Sequence, residues 1–310
     1  MNRYLATRLA ALVPTLLLVS VLAFALTQLA GGDPAREAVE QSGGGIATSE
    51  LIAELRSRWG LNDAPPVRYA RWLGSALRGD LGESYLTKRP VARELLSAFP
   101  ATVLLAAAAL GIAAALGIPL GVLAALRRDT WVDHACRVLA VAAAAVPGFW
   151  LGLLLIVLFA EVLGWLPAGG FGLDAHLAMP ALALGAVSGA SVARLVRSSL
   201  LDILELEFVR SAYARGLGPW RVTWRHALPN ALAPAVTFLG LRFGDLLGGA
   251  VVIETIFAWP GVGRVVLTAV SGRDLPVIAG FVLIAGVIFV VVNLAVDVIY
   301  VALDPRVRLG

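Results

Sequence analysis

The chain has 310 residues, of which 59% are hydrophobic and 15% charged, with a mean hydropathy of +0.84. Soluble domains carry roughly a quarter of their residues as charges, so this composition excludes a water-soluble globule and points to an integral membrane protein built as one helical bundle. The net charge of +4 and the pI near 9.7 do not indicate nucleic acid, because the arginines sort by connection rather than gathering with aromatics on a soluble face.

Apolar runs fall at about residues 9–30, 99–126, 136–163, 178–201, 230–256 and 277–303. Each approaches the ~20 residues that cross a hydrocarbon layer of ~30 Å. Alternating strands of a barrel are absent, so the expected fold is all-α with six spanning helices. The first run follows Arg3 and Arg8, is longer than a signal-peptide core and lacks a small-residue cleavage site, which predicts a retained helix. Residues 31–98 are polar and carry as many acids as bases, with apolar positions such as Leu51, Leu55, Trp59, Tyr69, Trp72 and Tyr85. A structureless loop of that length is improbable, so this stretch is expected to be an external cap of short helices. Within the later runs, Gly111, Gly117 and Gly121 suit close helix approach, and Pro119 and Pro147 are expected to bend or interrupt helices. Trp150, Trp165 and Trp259 are expected in the aromatic belts at the membrane surface.

The remaining arginines set the orientation. Arg127, Arg128 and Arg137, then Arg194, Arg197, Arg210, Arg215, Arg221 and Arg225, then Arg306 and Arg308, lie on the same alternate connections as Arg3 and Arg8. The opposite short loops hold Arg264 and Arg273. The bias of basic residues toward the inner side predicts cytoplasmic termini. The organisation is thus a first helix at 1–30, an external cap at 31–98, a five-helix core at 99–303 with a cytoplasmic segment at 202–229, and a tail at 304–310.

That cytoplasmic segment contains "FVRSAYARGLGPWRVTWRHALPNAL", with four arginines in 25 residues, Phe208 to Leu232. Leu204, Phe208, Ala212 and Arg215 recur at helical spacing, Gly216 and Gly218 can end a helix, Pro219 can open the next, and Pro229 suits the first turn of a spanning helix. The pattern reads as a helix–turn–helix at the membrane surface. From charge alone, a loop held to lipid headgroups by its arginines is an equal alternative.

Catalytic readings fail on the residues present. A P-loop needs Gly-Lys, and Lys88, the only lysine, follows Thr87. No histidine is followed by glutamate, and no Gly-x-Ser-x-Gly occurs. Cys136 is a single cysteine, and His134, His176 and His226 are too scattered for a conventional metal site. Charges within the apolar runs are better pointers, because an ion at mid-membrane costs at least ~2.5 kcal/mol. The candidates are Arg242, Asp245, Glu254 and Asp297. Arg242 and Asp245 stand three apart, so they either neutralise each other as a structural pair facing the bundle or line a pathway.

The order Arg210-Ser211-Ala212, Gly216, His226, Leu228-Pro229 resembles the cytoplasmic signature of ABC importer permeases, Glu-Ala-Ala, three residues, Gly, nine residues, Ile, one residue, Leu-Pro. Arg210 and His226 depart from it in the manner of the peptide/nickel branch, whose "VRTARAKGL" and "RHALRNAL" parallel "VRSAYARGL" and "RHALPNAL" here. "GGDPA", "GDLGESY" at Gly79–Tyr85, "ETIFAWPGVGR" at Glu254–Arg264 and "ALDPRVR" near the end extend the likeness over nearly the whole chain. The resemblance implies a MetI-like bundle of the type I importers carrying an external cap. It implies a second homologous permease, two ATPases that hold the ATP and magnesium, an external binding protein, and no cofactor in this chain. Phe208, Arg210, Ser211, Ala212, Arg215, Gly216 and Leu217 would form the ATPase-coupling helix, with Leu228 and Pro229 ending the signature. Arg242, Asp245, Glu254 and Trp259 would be pathway or gate candidates. "TKRPV", "FPAT", Asp245 and "VIETIFAWPGVGR" lean the cargo toward nickel or a metal chelate, with di- or oligopeptides as the alternative. A stand-alone carrier or channel is more remote, since no internal repeat is visible.

Overall fold

The computed structural model describes residues 2–29, 35–36, 39 and 49–303, with side chains from Leu12 onward except at 29, 248–249 and 296–303. "GGDPA", "ALDPRVR", the side chains of Arg3, Arg8 and Asp297, and Arg306 and Arg308 therefore lie wholly or partly outside the described residues. In chain order the helices are α1 (Asn2–Leu29), α2 (Ser49–Arg58), α3 (Pro65–Ala76), α4 (Val91–Leu126) and α5 (Trp131–Ala145). They continue with α6 (Gly148–Leu155), α7 (Ala175–Leu204), α8 (Glu207–Ala214), α9 (Pro219–Val222) and α10 (Leu228–Ala231). The last four are α11 (Ala233–Gly249), α12 (Val251–Ile256), α13 (Val262–Ser271) and α14 (Leu275–Leu303). Among the described residues the only β pairing is an isolated bridge between Glu83 and Pro90. Two compact units result: Met1–Pro100 with Gly261–Val290, and Ala101–Pro260 with Val291–Gly310.

In the first unit, short helices do occupy the polar stretch. Pro65 and Pro66 preset the first turn of α3, where a missing N–H costs nothing. α3 docks on α1 through a hydrogen bond between the Ser20 and Tyr69 hydroxyls (2.8 Å), a bond from Arg68 Nη1 to Gln28 Oε1 (2.9 Å) and an edge-on contact of Phe24 with Tyr69. An apolar core of Leu81, Val91, Leu95, Val262, Ala269 and Val277 joins the loop after α3 to the starts of α4 and α14 and to α13.

In the second unit, α4 and α7 cross on small residues. A Cβ at Gly117 would lie 2.5 Å from the Gly189 carbonyl oxygen, one at Gly121 2.6 Å from that of Ala193, and one at Gly185 2.5 Å from that of Ala109. Such contact needs glycine at these positions, which bears out the packing expected of Gly117 and Gly121. Gly111 faces open space instead.

Several expected spans prove to be composite. The run at 136–163 is two helices bent by 98°. The cause is Pro147, which forces Val146 into extended geometry (ψ 122°) and opens α6 as its N-cap. α6 then loosens into a π-helix at Ile156–Val162. The run at 230–256 is divided among α10, α11 and α12, with Pro229 and Pro234 in the first turns of α10 and α11. Pro119, in contrast, interrupts nothing: α4 passes through it unbroken. Among the described residues, α4, α7 and Leu275–Ala295 of α14 are long and apolar enough to cross a membrane, and α5 with α6 makes a fourth if counted as one bent span. Six spans are thus not confirmed by length, because the breaks at proline leave segments such as the 17-residue α11 below a full crossing.

Candidate functional site

The signature segment is folded by its own turn residues. α7 stops at Leu204, and Leu206 takes an extended conformation (φ −73°, ψ 151°) as N-cap of α8. At the other end Gly216 adopts φ +77°, a left-handed geometry that suits glycine. The Leu217 amide donates to the Ala212 carbonyl (3.3 Å) and the Gly216 amide to that of Tyr213 (2.9 Å), which is the Schellman closure. Leu217 packs beside Val209, Ala212 and Val222, together with Ile203 and Leu204. α8 is therefore pinned to the end of α7 by Val209 and Ala212, and it exposes Phe208, Arg210, Ser211, Tyr213 and Arg215. Phe208 was expected on the face of Leu204 and Ala212; the break at Leu206 resets the helical phase, so that Val209 takes the buried position and Phe208 turns outward.

Beyond Gly218 the chain re-enters helix at Pro219, then widens to a π-helix over Thr223–Ala227. Pro229 has no N–H for the Arg225 carbonyl, and the ladder shifts to longer bonds such as Leu228 N–H to the Thr223 oxygen. The Asn230 side-chain amide donates to the carbonyl of His226 (2.7 Å). Leu228 is buried at the end of this segment. Sequence reasoning passed over Trp220 and Trp224, whose four-residue spacing brings their rings to 5.0 Å on the exposed side.

The charged candidates separate into two places. Arg242 and Asp245 pair at 3.2 Å with 38% and 53% of their side chains exposed, so they do not face the interior of their own chain. The Arg242 guanidinium lies 5.6 Å from the Phe238 ring centroid, and its Nε is buried without a hydrogen-bond partner. Glu254 and Trp259 instead share one packed turn. Glu254 is fully buried and accepts a hydrogen bond from Thr102 Oγ1 (2.6 Å). The Trp259 amide donates to the Glu254 carbonyl (2.7 Å) and its indole Nε1 to that of Ala101 (2.8 Å). Trp259 is wholly buried beside Phe171, so the expected belt position is corrected: its indole N–H anchors a core turn, while Trp150 and Trp165 are exposed.

A second ionic contact had no local signature. Asp133, wholly buried on α5, accepts two hydrogen bonds at 2.7 Å from Arg197 on α7, and Arg137 approaches it at 3.6 Å. Towards the other end of α7, exposed Asp174 caps the helix, and its carboxyl is held below its ordinary range by its hydrogen bond to the His176 ring (2.8 Å). Among the described residues no group of three or more His, Cys, Asp or Glu gathers as a metal-ligand cluster.

Comparison with known proteins places these features in a family. Residues 117–309 match the binding-protein-dependent transport system inner membrane component, and residues 1–106 match its N-terminal membrane component. The glutathione transport system permease protein GsiC of Salmonella paratyphi A is 40% identical over 308 residues, covering 99% of each chain. The probable D,D-dipeptide transport system permease protein DdpB of Escherichia coli K12 is 40% identical over 321 residues, covering 94% of this chain and 93% of that one. A chain of the inward-facing MetNI methionine ABC transporter shares the fold, with a TM-score of 0.57 at 20% identity over 68% of this chain and 96% of that chain.

Proposed function

This chain belongs to the binding-protein-dependent transport inner membrane components, the non-catalytic permeases of ABC importers, and on that premise we propose that it forms half of a pathway for short peptides. The observation that carries the cargo reading is full-length identity of 40% to a permease named for glutathione, a tripeptide, joined by one named for a D,D-dipeptide. These names favour peptides over the nickel or metal-chelate cargo suggested by "TKRPV", "FPAT" and Asp245.

The partners in this reading are a second homologous permease, two cytoplasmic ATPases carrying ATP and magnesium, and an external binding protein, with both termini of this chain cytoplasmic. The exposed face of α8, with Phe208, Arg210, Ser211 and Arg215, seats on one ATPase. Ala212 and Leu217 hold that helix to the end of α7, and Gly216 closes it, so a push on α8 moves α7 as a packed body. Arg242 and Asp245, exposed on the single chain, face the second permease across the pathway, whereas Glu254 and Trp259 hold the turn after α12 in place.

The test is ATP-driven uptake into proteoliposomes holding the complete complex and its binding protein. Glutathione or dipeptide uptake without uptake of nickel or nickel chelates is expected; metal uptake alone overturns the cargo reading. Gly216→Pro and Arg210→Glu should each lower uptake about ten-fold or more at unchanged complex yield, as loss of one aligned contact or turn allows. Unchanged transport in both removes α8 from the coupling role.

A further inference from the structure

The first unit holds a cleft of about 660 Å³, lined by α1, α2, α3, the loop before α4 and the start of α14. Small-molecule sites occupy roughly 300–1,000 Å³ and combine apolar walls with a few placed polar groups. Here Phe24, Trp72, Leu275 and Ala279 supply apolar wall, and Trp59 stacks on Tyr85 with ring centroids 4.5 Å apart and planes inclined by 14°. Burial and the neighbouring Asp274, against Arg68, push the Tyr85 hydroxyl up to about 12, so this ring stays neutral.

The charges of the lining sort by whether they already have partners. Arg68 donates to Gln28, and Arg71 pairs with Asp63 at 2.7 Å. Arg58 and Lys88 make no ion pair among the described residues, and neither do Asp80 and Glu83, which line the same cleft. The cleft thus presents charges of both signs without ion-pair partners among the described residues, beside an aromatic wall. An anion alone would meet the two carboxylates, and a cation alone the two bases; a zwitterion with an apolar body satisfies both.

The loop carrying Asp80, Glu83 and Lys88 is held in a fixed shape. Buried Asp274 accepts hydrogen bonds from the Ser84 hydroxyl and from the amides of Tyr85 (3.1 Å) and Leu86 (3.2 Å). Asp80 accepts from the Gly82 amide (2.9 Å), and the Glu83–Pro90 bridge closes the loop. Lys88 is held at φ +57°, a left-handed conformation costly for a residue with a Cβ, by its amide bond to the Ser84 carbonyl (3.1 Å). Lys88 is also the only lysine in a chain that otherwise uses arginine.

We propose that this cleft binds a short peptide by both charged ends, with the carboxylate at Arg58 and Lys88, the α-ammonium at Asp80 and Glu83, and the side chains against Trp59 and Tyr85. The proposal rests on the peptide reading above. It makes the cap a peptide-contacting surface distinct from the Arg242–Asp245 pair.

The single lysine provides the test. In the complete complex in phosphatidylcholine nanodiscs, without binding protein, the rate of Lys88 acetylation by an amine-reactive reagent is followed by mass spectrometry on the proteolytic peptide that bears it. Tri-alanine should protect Lys88 saturably. C-terminal amidation or N-terminal acetylation of the probe should each raise the half-protecting concentration about ten-fold, the loss of one charge-assisted contact. Arg58→Met should cost as much with free tri-alanine and little with the amidated probe; Glu83→Gln should do the same with respect to the acetylated one. Absence of protection, or equal protection by capped probes, overturns the proposal. So does protection that appears only with added phosphatidylethanolamine or phosphatidylglycerol, which makes the cleft a lipid site, or only with peptide-free binding protein, which makes it a protein contact. Tri-alanine uptake without protection removes the cleft and leaves the transport reading standing; protection without peptide uptake does the reverse.

Discussion

Two ion pairs in the second unit invite comparison. Asp133 and Arg197 are 64 residues apart, meet through two bonds of 2.7 Å, and leave 0% and 21% of their side chains exposed. Arg242 and Asp245 are three apart on one helix, meet at 3.2 Å, and leave 38% and 53% exposed. The first ties α5 to α7 and has further donors around it: Arg137 at 3.6 Å and the Asp129 amide at 3.1 Å. The second closes on a single helical turn, joins no two elements of this chain, and leaves Arg242 Nε without a partner. Burial and connectivity, not spacing, decide which pair holds the chain together. In the proposed complex the exposed pair is the one that faces the second permease.

The comparison breaks most readily at Arg197. Arg197→Met strands a buried carboxylate and should destabilise the chain by about 3 kcal/mol, the low end for a buried pair because Arg197 keeps some exposure. That corresponds to a fall of roughly 5 °C in the thermal unfolding midpoint of the purified permease. An unchanged midpoint would make the two pairs equivalent. Next, Asp133→Leu combined with Arg197→Met should recover at least about half of that loss, since apolar packing replaces both charges. Further destabilisation in the double variant would mean that the pair itself, rather than an unpaired charge, carries the effect. Arg242→Met should cost less than about 1 kcal/mol in the same assay. Its effect belongs in uptake, and a large loss of midpoint would return the pair to a structural role. The smallest effect is expected at another exposed contact, Asp174 with His176. The Asp174 carboxyl is depressed by that hydrogen bond, so its contribution is present above the ordinary carboxylate range and lost as pH falls through the lowered value. Asp174→Asn should leave the midpoint unchanged near neutral pH, and a clear drop there would show that exposed contacts in this protein are stronger than their solvation suggests.

The same contrast explains how much of the molecule was legible in its sequence. Local signals carried well: Gly216, Pro219 and Pro229 end and begin helices where turn chemistry places them, and apolar composition locates α4, α7 and α14. Pro147 was visible as a breaker, but the 98° bend it produces was not, because a proline restricts the preceding residue without fixing the direction in which the next helix packs. Phe208 shares helical spacing with Leu204 and Ala212 but not their face, since one extended residue, Leu206, resets the phase of everything after it. Trp259 was misplaced, Asp133 missed and the burial of Glu254 not visible because their partners, Ala101, Arg197 and Thr102, are 158, 64 and 152 residues away. Arg242 and Asp245 could be paired from spacing alone, and the sequence had no means of saying which way that turn of α11 would look.

The crossing of α4 and α7 has a mechanical side. At Gly117, Gly121 and Gly185 the space for a methyl group is already taken by carbonyl oxygens and by Val192, Val196 and Ile112 of the facing helix. Side chains can change rotamer and let two helices slide; backbone atoms in contact have no such play. α7 runs from this crossing to within three residues of α8, so the pair acts as one strut with no soft layer between its members. The irregular backbone of the second unit lies elsewhere, at the proline corner between α5 and α6, in the π-helix that follows it and in the π-helix at Thr223–Ala227.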